Sequence, residues 1–318
     1  MGIVPGKTLG GKIILKTFSS RLTAAVRRCG NPVVVGLDPR RERLPAPLQP
    51  ASEDQVTLAD SYRDFCQAVI DVVAPLVPAV KPQSAFFEQL GPAGLDALAQ
   101  TIHYAREKEL LVILDGKRND IGSTAMAYAQ GYLAGPASPW QADALTVSPY
   151  LGDESLQPFL QTAVASGTGI FVLVKTSNPG GGMFQDLEVH DLPLYHHVAK
   201  HVESLAAQSV DASGYGAAGA VVGATYPEQL TEMRRVMPHS WILVPGFGSQ
   251  GATARDVAGA FAPDGLGAVV NSSRGIIFAH SLPEYRDQFG DQRWQQAVEA
   301  ATRQMIEELR SATSAGRL

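Results

Sequence analysis

Eight short runs of apolar and β-branched residues recur through the chain, and the stretches between them carry a different period. The runs are Val33–Leu37, Ala79–Lys81, Leu110–Lys117, Ala144–Ser148, Gly169–Thr176, Ala218–Ala224, Trp241–Gly246 and Gly267–Ser272. Between them, stretches such as SYRDFCQAVIDVVAPL, GLDALAQTIHYAREKE, LPLYHHVAKHVESLAAQ and YPEQLTEMRRVM space their apolar residues as one face of a helix. Strands buried on both faces read as near-continuous apolar runs, and parallel neighbours need a crossover between them, usually a helix. Eight such units predict an α/β fold, a closed (β/α)8 TIM barrel, with a doubly wound open sheet as the alternative. No linker, repeat or low-complexity block interrupts the pattern. A single barrel domain over residues 17–318 is therefore expected, preceded by a short tail at 1–16.

Composition narrows the function classes. With 45% hydrophobic and 18% charged residues, the chain has ordinary globular composition. No apolar run approaches the ~18 residues of a membrane span, so no membrane association is expected. Cys29 and Cys66 are the only cysteines, too few for a disulfide framework or a thiolate metal site, which fits a reducing cytoplasm. A net charge of −5 argues against a nucleic-acid surface, so any anionic ligand must be gripped by local positive charge.

The N-terminal segment has no acid before Asp38 but contains Lys7, Lys12, Lys16, Arg21, Arg27 and Arg28. A targeting leader shares that bias, yet VVVGLDP follows at once and reads as a strand, so we expect a tail and then an amphipathic helix over SSRLTAAVRR. Within the tail, GKTLGGK has phosphate-loop glycine spacing. Ile13 replaces the required Ser or Thr and no strand precedes it, so the match reads as chance.

In a barrel of this kind, chemistry belongs at the C-terminal strand ends. Six of the eight runs stop in polar or glycine-rich residues: Asp38, Lys81, Asp115-Gly116-Lys117, TSNPGGG, PGFGSQG and NSSRG. Along the third run, alternation points Leu111, Ile113, Asp115 and Lys117 one way and Val112, Leu114 and Gly116 the other. A carboxylate and an ammonium then sit side by side, with Asp120 just beyond and Ser123-Thr124 opening a helix. PGFGSQG can turn several N–H groups toward one anion, Gln250 adds an amide, and Arg274 supplies a planar fork suited to phosphate. Together these predict a phosphate site between the last two strands.

Asp38, Lys81, Asp115, Lys117 and Asp120 mix two ammonium groups with three carboxylates, an alternation that keeps each ionised at neutral pH. No histidine or cysteine lies at a strand end, so a nucleophile–base pair is missing. Fixed opposing charges suit a reaction that creates negative charge on carbon. A carboxylate raises the energy of a bound substrate carboxylate, and a lysine stabilises and protonates the carbanion.

These residues resemble the orotidine 5′-phosphate decarboxylase family, in particular its longer bacterial (type 2) subgroup. The family's Asp-x-Lys-x-x-Asp on the third barrel strand is matched by Asp115, Lys117 and Asp120. GLDP, VKPQSAFFEQLG, DGKRNDIGSTA, VKTSNPGGG and PGFGSQG follow in the family's order, from about Lys16 to about His280. The resemblance implies conversion of orotidine 5′-monophosphate to uridine 5′-monophosphate and CO2 in pyrimidine biosynthesis. It also implies no cofactor or metal, and a homodimer with shared sites.

By the same resemblance, Lys117 delivers the proton to C6, Asp115 crowds the departing carboxylate, and Lys81 orders the charge network and reaches the ribose. Asp120 and Thr124 match residues that cross the dimer interface. Asp38 matches a ribose-hydroxyl acceptor, Ser177 a serine touching the pyrimidine, and Gln250 with Arg274 the phosphate grip. Two departures stand out: Ser273 where many relatives have glycine, and KPQSAFF in place of a commoner lysine-x-glycine pattern.

Other readings compete. Magnesium-dependent sugar-phosphate decarboxylases and aldolases of the same superfamily share the motif but need a carboxylate on the second strand, where Lys81 stands. A Schiff-base aldolase would use Lys175, and a non-catalytic phosphate-binding barrel needs only the grip. His197 and His201, with Glu203 nearby, read as solvated rather than metal-binding. Phe86 and Phe87 read as packing, and SNPGGGMF as either a lid or a long turn.

Overall fold

The computed structural model describes residues 8–9, 12–13, 16–248 and 252–318. Eight parallel strands close a barrel in sequence order. They are β1 (Val33–Leu37), β2 (Ala79–Pro82), β3 (Leu111–Arg118), β4 (Ala144–Val147), β5 (Gly169–Lys175), β6 (Ala218–Val222), β7 (Ile242–Val244) and β8 (Ala268–Ser272). Closure is made by β8 pairing with β1, Val270 opposite Val33. Each expected run contains its strand to within a residue or two, and the open-sheet alternative is set aside.

The long helices are α1 (Phe18–Cys29), α2 (Gln55–Val73), α3 (Gly91–Glu107), α4 (Gly122–Leu133), α5 (Asp153–Ser166), α6 (Leu194–Ala207), α7 (Pro227–Val236) and α8 (Trp294–Ala312). One crossover departs from strict alternation. Among the described residues between β7 and β8, the helical element is a single 3-10 turn, Ala258–Ala260, rather than an α-helix.

The two faces of each strand feed two cores. Val34, Ala79, Leu111, Ile113, Ala144, Phe171, Leu243 and Val269 pack together inside the barrel. Val33, Val35, Val80, Val112, Leu114 and Val172 pack outward against the helices. The alternation read from the third run is thus the division between barrel interior and helical layer.

Helix α1 plugs the N-terminal end of the barrel with Phe18, Leu22, Ala25 and Val26. Thr17 caps its start by accepting the Ser20 N–H at 3.2 Å, and Gly30 ends it in the left-handed region at φ 62°. Phe18 meets Phe171 edge-on at 5.9 Å, and a β-carbon at Gly169 would lie 2.4 Å from the Phe18 ring. Arg21 and Arg106 both pair with Asp143, which also accepts the Val112 N–H at 2.9 Å. That buried carboxylate ties α1 and α3 to the starts of β3 and β4. In the expected tail, Thr8–Leu9 pairs antiparallel with Lys12–Ile13. Among the described residues, no helix is long and apolar enough to cross a membrane.

Candidate active site

The C-terminal end of the barrel gathers the charged residues of three adjacent strands. Asp115, near the end of β3, is 8% exposed and accepts four hydrogen bonds. Lys81 of β2 donates to Oδ2 at 2.6 Å and Gln83 donates to the same oxygen at 3.1 Å. Lys117 donates to Oδ1 at 2.7 Å, and the Thr146 hydroxyl of β4 donates there at 2.9 Å. An ionised carboxylate is acceptor-only with about four lone-pair sites, so this one is saturated.

Burial and charge oppose each other here. Burial by itself would raise the Asp115 carboxyl, but the Lys81 and then the Lys117 ammonium groups outweigh it and hold the group well below the usual carboxylate range. Burial would likewise lower Lys81, yet Asp115, and behind it Asp38, raise it above the ordinary lysine value. Both groups are therefore ionised across the neutral range. Lys117 differs in exposure: its side chain is half exposed, whereas that of Lys81 is almost wholly buried. The exposed ammonium faces the opening and the buried one lies beneath.

Two clefts meet at Asp115 and Lys117. One, of about 570 Å³, is lined by Asp38, Arg40, Gln83, Ser84 and Arg274. The other, of about 220 Å³, is lined by Lys81, Thr146, Ser177, Asn178 and Pro245. Asp38 Oδ1 and Ser84 Oγ are buried polar atoms without a hydrogen-bond partner among the described residues. Such orphans are costly, and both lie on residues that line the larger cleft.

The sequence candidates thus divide. Asp38, Lys81, Asp115, Lys117, Ser177 and Arg274 line the connected clefts. Gln250 lies outside the described residues. Asp120 accepts the Ile121 N–H at 2.9 Å, Thr124 is exposed in the first turn of α4, and neither lines these clefts. Ser273 is buried against Gly36, where a β-carbon would come within 2.7 Å of it. Gln83, Ser84 and Thr146 are cleft residues that the sequence reading does not single out. Gln83 follows Lys81 by two positions, the strand period, and Thr146 is the one hydroxyl in the ALTV run.

The competing candidates have other partners. Lys175 is buried, pairs with Asp186 and sits 5.2 Å from the Tyr195 ring of α6. It therefore faces the helical layer, away from the carboxylate cluster. His197 meets the Val189 carbonyl at 2.7 Å and His201 pairs with Asp153 at 3.0 Å. Among the described residues, no group of three or more His, Cys, Asp or Glu is placed to hold a metal ion. Phe87 is fully buried, and Phe86 lies under the Arg40 guanidinium at 5.2 Å. SNPGGGMF forms a 3-10 turn, Pro179–Gly181, followed by a short helix, Gly182–Gln185.

The chain is similar to known proteins over nearly its whole length. Residues 31–285 match the model of the orotidine 5′-phosphate decarboxylase / HUMPS family. An orotidine 5′-phosphate decarboxylase from Rhodopirellula baltica is 55% identical over 301 residues, covering 93% of this chain and all of that one. Another, from Deinococcus radiodurans, is 41% identical over 84% of this chain and 91% of its own. The solved Leishmania donovani OMP decarboxylase superposes with a TM-score of 0.71 at 32% identity, covering 93% of this chain and 98% of that one. With the barrel, the charge alternation at its mouth and identity across nearly the whole length in agreement, the chain belongs to the orotidine 5′-phosphate decarboxylase / HUMPS family.

Proposed function

We propose that this barrel converts orotidine 5′-monophosphate to uridine 5′-monophosphate and CO2 without a metal ion, as a step of pyrimidine biosynthesis. The observation that carries this reading is the Asp115 carboxylate held rigidly between Lys81 and Lys117. A substrate carboxylate bound beside Asp115 meets a negative charge that cannot protonate or turn away. The C6–carboxylate bond breaks, CO2 departs, and the electron pair left on C6 faces the Lys117 ammonium. Lys117 gives its proton to C6 and is reprotonated from solvent. Fixed charges of this kind need no reorganisation as the reaction proceeds. The metal-dependent alternative needs a carboxylate at the end of β2, where Lys81 is already committed to Asp115.

Substrate contacts follow from the clefts. Asp38 accepts a ribose hydroxyl, Ser177 touches the pyrimidine, and Arg274 with Gln250 grips the phosphate. Asp120 and Thr124 serve the site of a second copy in a homodimer. Supporting that reading, both lie outside their own chain's clefts, on a stretch that also exposes the apolar Ile121. Burying that side chain against a second copy would remove apolar surface from water. The composition fits a cytoplasmic enzyme.

The direct test is turnover. Purified protein, exhaustively treated with EDTA, is mixed with orotidine 5′-monophosphate and the pyrimidine absorbance is followed. Full activity is expected. Loss of activity with EDTA and its return with magnesium would favour the metal-dependent chemistry, and phosphate-ester binding without turnover would leave only a binding protein.

A further inference from the structure

Thr146 is 1% exposed and sits on β4 beneath the charge cluster. Its hydroxyl oxygen lies 2.9 Å from Asp115 Oδ1 and 3.0 Å from the Lys117 backbone nitrogen. An ionised carboxylate only accepts and an N–H only donates. The hydroxyl therefore has one arrangement open to it, with its proton on Asp115 and a lone pair toward Lys117. One side chain thus holds both residues that face the reacting groups.

The backbone explains why such a holder is needed. The β3–β4 ladder runs Ile113 opposite Ala144 and Leu114 opposite Leu145, then resumes at Arg118 opposite Val147. Asp115, Gly116 and Lys117 are thereby left facing Thr146, a bulge of the kind that re-aims side chains next to active sites. Within it Lys117 is at φ 44°, the left-handed region that a residue with a β-carbon adopts only at a cost. The Lys117 N–H in this bulge donates to a side chain rather than following the regular ladder. That side chain is Thr146.

We propose that Thr146 is a positioning residue for the decarboxylation: its hydroxyl holds the β3 bulge and stops Asp115 from rotating away from the substrate carboxylate. This role rests on the decarboxylase reading given above. Gln83 restrains Oδ2 from the β2 side, but it does not touch the Lys117 backbone. Thr146 links the carboxylate to the Lys117 backbone, and so acts on the lysine independently of the direct ion pair between the two side chains.

The test compares Thr146→Val, which keeps the shape and removes the hydroxyl, with Thr146→Ser, which keeps the hydroxyl and removes the methyl. A misplacement of reacting groups by about 1 Å costs roughly 100-fold, so Thr146→Val should lower kcat by about 10- to 100-fold. KM should stay within about threefold, because no substrate-binding group is lost, and Thr146→Ser should retain most of kcat. A packing role gives the reverse order, with valine tolerated and serine impaired. The inference is overturned if Thr146→Val keeps kcat within about threefold of the parent, or if serine falls as far as valine. Should Thr146→Val not fold, Thr146→Ala against Thr146→Ser makes the same comparison of hydroxyl absent and present. A parent protein inactive on orotidine 5′-monophosphate would overturn the decarboxylase reading and this role with it. An active parent indifferent to Thr146→Val removes the role of Thr146 alone.

Discussion

Lys81 and Asp115, on neighbouring strands of the barrel, meet at 2.6 Å with each side chain no more than a tenth exposed. Lys117 reaches the other oxygen of the same carboxylate at 2.7 Å but remains half exposed. One carboxylate therefore has a structural partner and a working partner, and burial is what separates them. The buried ammonium cannot leave without exposing an uncompensated charge to a low-dielectric surrounding, whereas the exposed one can exchange Asp115 for substrate or water.

That difference is measurable as stability. Asp115→Asn leaves Lys81 buried with Asp38 as the remaining carboxylate acting on it among the described residues, and breaking a buried ion pair in this way should cost about 3 kcal/mol in urea unfolding. Lys117→Met removes a pair that solvent already screens and should change stability by less than about 1 kcal/mol. Both variants should be nearly inactive. Equal stability losses would mean that the two lysines are not distinguished by burial.

The pH profile should be silent about Asp115 and Lys81. Asp115 has its folded pKa depressed: its stabilising contribution is present above the unfolded value near ~3.9 and is lost only as pH falls through the folded value. Lys81 has its folded pKa raised: its contribution is complete below ~10.4 and is lost as pH rises through the folded value. Neither group titrates between about pH 5 and 9. An acid limb in kcat/KM near pH ~6 should then come from the second ionisation of the substrate phosphate. Repeating the profile with orotidine, which lacks the phosphate, should abolish that limb. Its persistence would assign it to the protein.

Arg274→Ala should weaken the phosphate grip. For a charge-assisted contact the loss in kcat/KM corresponds to ~2–4 kcal/mol, and because remote binding energy is used at the reacting carbon, kcat can fall as KM rises. Orotidine without its phosphate should be barely affected. An equal loss on both substrates would place Arg274 outside the phosphate site.

If each active site draws on two chains, complementation should reveal it. Lys117→Ala and Asp120→Ala proteins are each expected to lose at least ~10³-fold in activity, or ~4 kcal/mol. In a mixed dimer one site carries both defects and the other neither, because Lys117 and Asp120 come from opposite chains. Random exchange at equal concentrations makes about half the dimers mixed, so activity should recover toward about a quarter of the parent's. A subunit-exchange assay shows that mixing has occurred. Flat activity in well-mixed samples would mean that Asp120 serves its own chain or no site.

The strands were legible because burial on both faces writes itself into local composition. VVVGL, AVKP and ALTV announce strands without reference to anything distant. The division of Ile113 and Leu114 between barrel interior and helical layer followed from strand period alone. Asp115 and Lys117 were legible for the same reason, two charges one strand period apart at the end of an apolar run. Closure of the barrel decided the rest, because it determines which strand ends become neighbours. It set Lys81 and Gln83 against one oxygen of Asp115 and Thr146 against the other, contacts spanning some thirty positions of chain. It also placed the β3 bulge, which depends on register with β4 rather than on the residues of β3. Local sequence carries the period of each element. Which residues share a carboxylate is a property of register between strands, and register exists only once the barrel has closed.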